Sequence, residues 1–158
     1  MVKLLLSLKL LLLITLDVSG QISDSIPELN KQIVAYVQTV IGKKVDRGEC
    51  WDLANQALTR NNADWKFPTT FGKLYNPEKQ SIFPGDLVQF SNVKIKNKNG
   101  ETWTFPKHTA IVMEVRDNGV LLLAEQNVNG KKIVLIDELD YKNKLSGKME
   151  FYRPQKKM

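Results

Sequence analysis

The apolar residues of this chain change period once, and that change restricts the class of fold open to it. Leu29, Ile33, Val34, Val37, Val40 and Ile41 recur at helical spacing until Gly42 stops the run, and Ser25-Ile26-Pro27-Glu28 reads as a capping box ahead of them. A second stretch rich in helix formers runs from Glu49 to Arg60 and ends at Asn61-Asn62, so Cys50 is expected at or near a helix N-terminus. Residues 63–83 read as an irregular connection. From Pro84-Gly85-Asp86 onward the pattern is that of strands, over 87–90, 93–98, 101–105, 109–115, 120–126, 133–136 and 149–152. Asn99-Gly100, Asp117-Asn118-Gly119 and Asn129-Gly130 supply the turns. Helices first and strands after predict an α+β domain, with N-terminal helices packed on an antiparallel meander.

With 158 residues, 42% of them hydrophobic, the chain has the material for one domain with a real core. A single cysteine excludes an internal disulfide, so that core has to hold the fold alone. The formal net charge of +6 is carried by scattered lysines, and no basic helix is interleaved with aromatics. Nucleic acid is therefore not an expected partner. One His, one Cys and no Asp-rich loop leave no ligand cluster, so neither a metal nor another cofactor is expected.

The first twenty residues stand apart from the rest. A basic start at Lys3, an apolar run from Leu4 to Leu16 and small residues at Val18-Ser19-Gly20 have the layout of a secretory signal peptide. The run is shorter than the roughly 20 residues that span a bilayer, which argues against integral membrane association. The expectation is a signal peptide over 1–20, a single domain over 21–158, and secretion to an extracellular or periplasmic location. A lone thiol exported to an oxidising compartment is a hazard unless it is buried or used.

One Cys and one His allow only one thiol–imidazole pair. At a helix N-terminus the thiol of Cys50 meets the positive end of the helix dipole, which favours thiolate, and unpaired N–H groups there can hold an oxyanion. Ala54 and Ala57 lie on the Cys50 side of its helix, and their small size lets that end approach a sheet closely. His108 opens a strand after Pro106-Lys107. An even-length hairpin loop near Asn118 puts Glu125 and Asn127 on the His108 face, where either can hold one ring nitrogen so that the other takes a proton. A three-residue loop reverses that parity.

Gly48-Glu49-Cys50-Trp51-Asp52-Leu53-Ala54, Pro84-Gly85-Asp86-Leu87-Val88-Gln89-Phe90, His108-Thr109-Ala110-Ile111-Val112 and Glu125-Gln126-Asn127 occur in that order. The set resembles the CHAP (cysteine, histidine-dependent amidohydrolase/peptidase) group of the NlpC and papain-like superfamily, over roughly Ile33 to Tyr152. The resemblance implies a papain-like fold, with helices packed on an antiparallel sheet or small half-barrel. It also implies Cys50 as nucleophile, His108 as base, Glu125 as the residue orienting His108, and Asn127 as a fourth polar member of the site. Glu49 stands where many members have Gln, and residues 91–107 make a longer link than usual. In both features the chain is similar to the papain-like domain of fungal actin-patch proteins.

The function implied is a secreted cysteine amidase or endopeptidase that cleaves peptide or peptidoglycan amide bonds through a thioester acyl-enzyme. A binding module on the same fold, with its thiol unused, is the alternative, and Glu49 and the long link are the features that favour it. The sequence names neither the scissile bond nor an oligomeric state.

Overall fold

In the computed structural model, which describes residues 25–67 and 69–158, two helices precede six strands. They are α1 (Glu28–Val40), α2 (Cys50–Arg60), β1 (Lys73–Tyr75), β2 (Leu87–Lys96), β3 (Thr102–Val115), β4 (Val120–Glu125), β5 (Leu135–Asp140) and β6 (Lys144–Arg153). The candidate signal segment 1–20 lies outside the described residues. No helix among the described residues is long and apolar enough to cross a membrane.

The strands form one antiparallel sheet in the order β1-β6-β2-β3-β4-β5. The expected meander is present from β2 to β5 but stops there. The last strand crosses back to pair with β2, and the short edge strand β1, which falls in the stretch expected to be irregular, adds to its far side. The segments expected at 101–105 and 109–115 are one continuous strand, so His108 lies within β3 and does not open it.

Alternation along the strands divides the core between the two faces of the sheet. On one face Ile33, Val37, Leu53 and Leu58 of the helices pack with Leu87, Ile111 and Ala124. Each such buried aliphatic side chain contributes about 1.5–3 kcal/mol. Ala54 and Ala57 are fully buried in this layer, and their size is what lets α2 lie close on the sheet. The opposite face gathers Val88, Phe90, Ala110, Val112, Leu121 and Leu123. His108 and Glu125 share the parity of that second layer.

The expected capping box at α1 does not form. Glu28 is the first helical residue instead of the third, Pro27 takes the cap position, and no side chain caps the helix. The anchor is Asn30, whose Nδ2 donates to Pro84 O at 2.9 Å and to Asp86 Oδ1 at 2.8 Å. Asp86 is fully buried and also accepts from Tyr75 Oη, the Phe83 N–H and the Arg153 guanidinium. Gly85, at φ +86°, passes so close that a Cβ there would collide with the Asn30 backbone. The Pro-Gly-Asp turn thus ties α1, β1, β2 and the end of β6 together.

Candidate active site

The segment after α1 runs back along the sheet before it turns into α2. Gly42 N–H bonds Val134 O at 2.9 Å and Val134 N–H bonds Lys43 O at 2.9 Å, which fixes its first part. Its second part is held by a side chain to which sequence reasoning assigned no role. Gln126 is fully buried; its Oε1 accepts from Val45 N–H at 2.8 Å, and its Nε2 donates to Val45 O at 3.1 Å and Glu49 O at 3.0 Å. Gly48, at φ +88°, passes where a Cβ would lie 2.7 Å from Lys132 Cβ. The signal for Gln126 in the sequence is an amide between two polar site residues at the end of an apolar strand.

Cys50 is the first residue of α2, as the sequence predicts, and is half-buried. A capping box joins Glu49 and Asp52, with Glu49 N–H donating to Asp52 Oδ2 at 2.9 Å, and Arg47 reaches the other Asp52 oxygen at 2.7 Å. The Glu49 carboxylate accepts from Asn127 Nδ2 at 2.7 Å and pairs with Lys132 Nζ at 2.6 Å, and its pKa is lowered, Lys132 being the largest cause. The anion beside the thiol is thus neutralised by a cation and an amide.

His108 is buried on β3, and its Nε2 lies 2.7 Å from Glu125 Oε2. The Cys50 thiol is coupled electrostatically to the same ring, whose Nε2 is taken by Glu125. Burial pulls the imidazole pKa down, but Cys50 and Glu125 outweigh it and raise the pKa to about 9. Burial alone pushes the Cys50 thiol up, yet His108 and the Thr109 and Trp51 backbone N–H groups bring it below its ordinary value. Both directions favour a thiolate–imidazolium pair. Glu125 is raised, by burial first and by the neighbouring Asp137 carboxyl, while His108 opposes the shift.

The shared face of His108 and Glu125 is reached by an unexpected route. The loop at Asp117–Gly119 has three residues, closed by Arg116 N–H to Val120 O at 2.8 Å with Asn118 at φ 64°, and this is the loop length that reverses parity. A bulge between Val112 and Glu114 steps the register back, so Ala110 lies opposite Glu125 and His108 is its diagonal neighbour. Asn127, at φ 63°, lies beyond the end of β4, and the hydrogen bond its side chain donates goes to Glu49. Of the two candidates, Glu125 is therefore the one bonded to His108.

The long link is the outer arm of the β2–β3 hairpin. At its root Asn92 has φ 51° and faces Pro106, which has no N–H to pair. Beyond this point Val93 and Ile95 join the same core layer as Phe90, with Trp103 and Phe105 packed against it. Simple alternation from His108 would send both aromatics to the other face. Phe105 instead lies with its ring centroid 5.3 Å from that of His108, and Phe90 lies 5.9 Å away.

Among the described residues no group of His, Cys, Asp and Glu could hold a metal ion. The chemistry of the arrangement is that of a half-buried thiol, a buried imidazole and a buried carboxyl.

Residues 20–158 match the sequence model of the AIM3/BBC1 cysteine proteinase-fold domain. Altered inheritance of mitochondria protein 3 of Debaryomyces hansenii is 28% identical over 172 residues, covering 89% of this chain and 18% of that protein. The chain therefore spans less than a fifth of its relative's length. Two crystal structures of Ly7917, one of them with the hydrolyzing product of MDP, have TM-scores of 0.50 and 0.52 at 14% and 15% identity. They cover 78% and 79% of this chain and 61% and 63% of those chains, and the likeness is one of fold. The match to Altered inheritance of mitochondria protein 3 overturns the expectation of secretion to an extracellular or periplasmic location, and the family model agrees with the likeness to fungal actin-patch proteins that Glu49 and the long link carry.

Proposed function

Because the chain belongs to the AIM3/BBC1 cysteine proteinase-fold domain family, we propose that it is a cysteine-dependent hydrolase of peptide amide bonds. Cys50 is the nucleophile, His108 the general base and acid, and Glu125 the residue that orients the ring. Asn127 is a fourth polar member that acts on Glu49 and not on His108. The observation that carries this reading is the series Cys50, His108, Glu125, in which the imidazole is held by Glu125 through Nε2 and lowers the pKa of the Cys50 thiol.

The thiolate Sγ attacks the carbonyl carbon of the amide. The negative charge that develops on the carbonyl oxygen is held by the Cys50 N–H, which at the first position of α2 has no intrahelical acceptor. His108 gives its Nδ1 proton to the departing amine as the C–N bond breaks, leaving a thioester on Cys50. Water then attacks the thioester and gives a proton to His108, and the acid leaves with the thiolate restored. Glu125 keeps the ring in the orientation needed for both transfers.

A non-catalytic binding module is the second reading, and the observation in its favour is that the chain matches only 18% of a much longer relative. Turnover separates the two. Fluorogenic peptide amides, MDP and bacterial wall fragments incubated with the purified chain should yield product with wild type and none with folded Cys50→Ala. A Cys50 that reacts with iodoacetamide only at the pH of a free thiol, together with no cleavage, would sink the hydrolase reading in favour of the module.

A further inference from the structure

Beyond Glu125 the row of polar side chains continues onto a third strand. Asp137 on β5 pairs with Leu123, two residues before Glu125 on β4, and lines the same cavity as Glu125, so imidazole and two carboxyls lie in sequence across β3, β4 and β5. The two residues line a cavity of about 310 Å³ together with Trp103 and Phe105 of the hairpin arm. A smaller recess of about 150 Å³, lined by His108 and Asn127, shares Phe105 and Val128 with it, so the larger cavity lies beside the recess at His108. Its size is at the lower end of small-molecule pockets and suits one side chain better than a whole ligand.

Charge selects the kind of side chain. No Lys or Arg of the described residues forms an ion pair with Asp137, although the chain as a whole is strongly basic. Burial and the neighbouring Asp137 carboxyl both push Glu125 up, because a second negative charge beside it is unfavourable. An incoming cation offsets that repulsion. The indole of Trp103 offers the aromatic face on which an ammonium or guanidinium is best held, and Phe105, already packed on His108, fixes the distance to the reacting atoms.

We infer that the cavity between the Trp103–Phe105 arm and the Glu125–Asp137 pair is a subsite for a cationic side chain, of lysine or arginine type, next to the scissile amide of a peptide. This assignment rests on the hydrolase reading. The 91–107 arm is then a specificity element and not a bar to activity, because it supplies the aromatic wall of the subsite.

The test compares three alkylating probes of Cys50 by intact-protein mass spectrometry: Nα-acetyl-lysyl chloromethyl ketone, its norleucyl analogue, and iodoacetamide, which has no side chain. The lysyl probe should outpace the norleucyl one by on the order of tenfold in wild type. That ratio should fall toward one in Asp137→Asn and drop markedly in Trp103→Ala, with circular dichroism confirming the fold. Equal rates in wild type, or a lysyl preference intact in both folded variants, would overturn the subsite. Binding of Nα-acetyl-lysine methylamide to Cys50→Ala, followed through the indole N–H resonance lost in Trp103→Ala, reads the subsite without the thiol. If iodoacetamide shows the thiol to be unreactive, the hydrolase reading fails, and this titration alone decides the subsite. A Trp103 shift abolished by Asp137→Asn supports it, and no shift overturns it.

Discussion

Gln126→Glu is the substitution that best tests how the nucleophile is positioned, since it keeps shape and changes only what the end of the side chain can donate. The remaining oxygen still accepts from Val45 N–H, while the two bonds from Nε2 to Val45 O and Glu49 O are lost. Each lost bond costs about 1 kcal/mol, and carbonyls left facing a buried carboxyl cost roughly 1–3 kcal/mol more, so a loss of about 3–5 kcal/mol at neutral pH is expected. A domain with about 5–15 kcal/mol of stability still folds after such a loss. The introduced carboxyl is buried against two oxygens, which raises its folded pKa above the roughly 4.3 of a free Glu. Stability should therefore be least affected below that pH and should fall further as pH rises through the raised value. Urea unfolding at several pH values measures the first effect. Iodoacetamide labelling of Cys50 measures the second, and it should slow by about tenfold or more because the residues before α2 are no longer pinned. Wild-type stability at neutral pH, or a loss that does not ease in acid, would refute the reasoning.

Cys50→Ala should abolish turnover with little loss of stability, and Glu125→Gln should reduce it by about tenfold to a thousandfold, since only the hold on the ring is weakened. Asn127→Ala should cost less than either the Cys50 or the His108 change, because its bond goes to Glu49; steady-state rates on one peptide substrate test the series. Turnover should fall as pH rises through about 9, where His108 loses the proton that the leaving amine needs, and in His108→Ala the pH at which the thiol alkylates should move upward toward that of a free cysteine. Asp86→Ala removes the fully buried carboxylate that accepts from Asn30, Tyr75, the Phe83 N–H and Arg153, and should cost about 3–5 kcal/mol, read from the urea midpoint.

The beginning of α2 was legible because Gly48 has to break the chain and Asn61 ends the helix, so Cys50 could fall only at its start. The strand carrying His108 and the one carrying Glu125 were legible from their apolar partners. Their shared face was reached correctly for a reason the sequence does not display: the parity set by the loop at Asn118 is opposite, and the bulge near Met113 cancels it. A bulge adds one residue without altering composition or pattern. The same limit hid the turn of face at Asn92 and Pro106, which brings Trp103 and Phe105 to the site. The return of β6 to β2 was hidden because alternation shows which face a residue takes and not which strand lies alongside. Gln126 went unassigned because its partners are backbone groups, and any sequence supplies those.

The ties that hold the site are long-range ones, and this sets the order in which it can be assembled. Gln126 reaches Val45 across 81 residues and Arg153 reaches Asp86 across 67. Helices can form as soon as they are made, but such contacts await a chain whose final strand is in place, and closing long loops is the slow part of folding. As the chain grows, its thiol precedes the imidazole by 58 positions and the residue that pins its loop by 76. Throughout that interval Cys50 is an ordinary cysteine with an ordinary pKa. The arrangement of thiol and imidazole is therefore a late product of folding, and on the proposed mechanism a nascent or partly unfolded copy lacks the means to attack its neighbours.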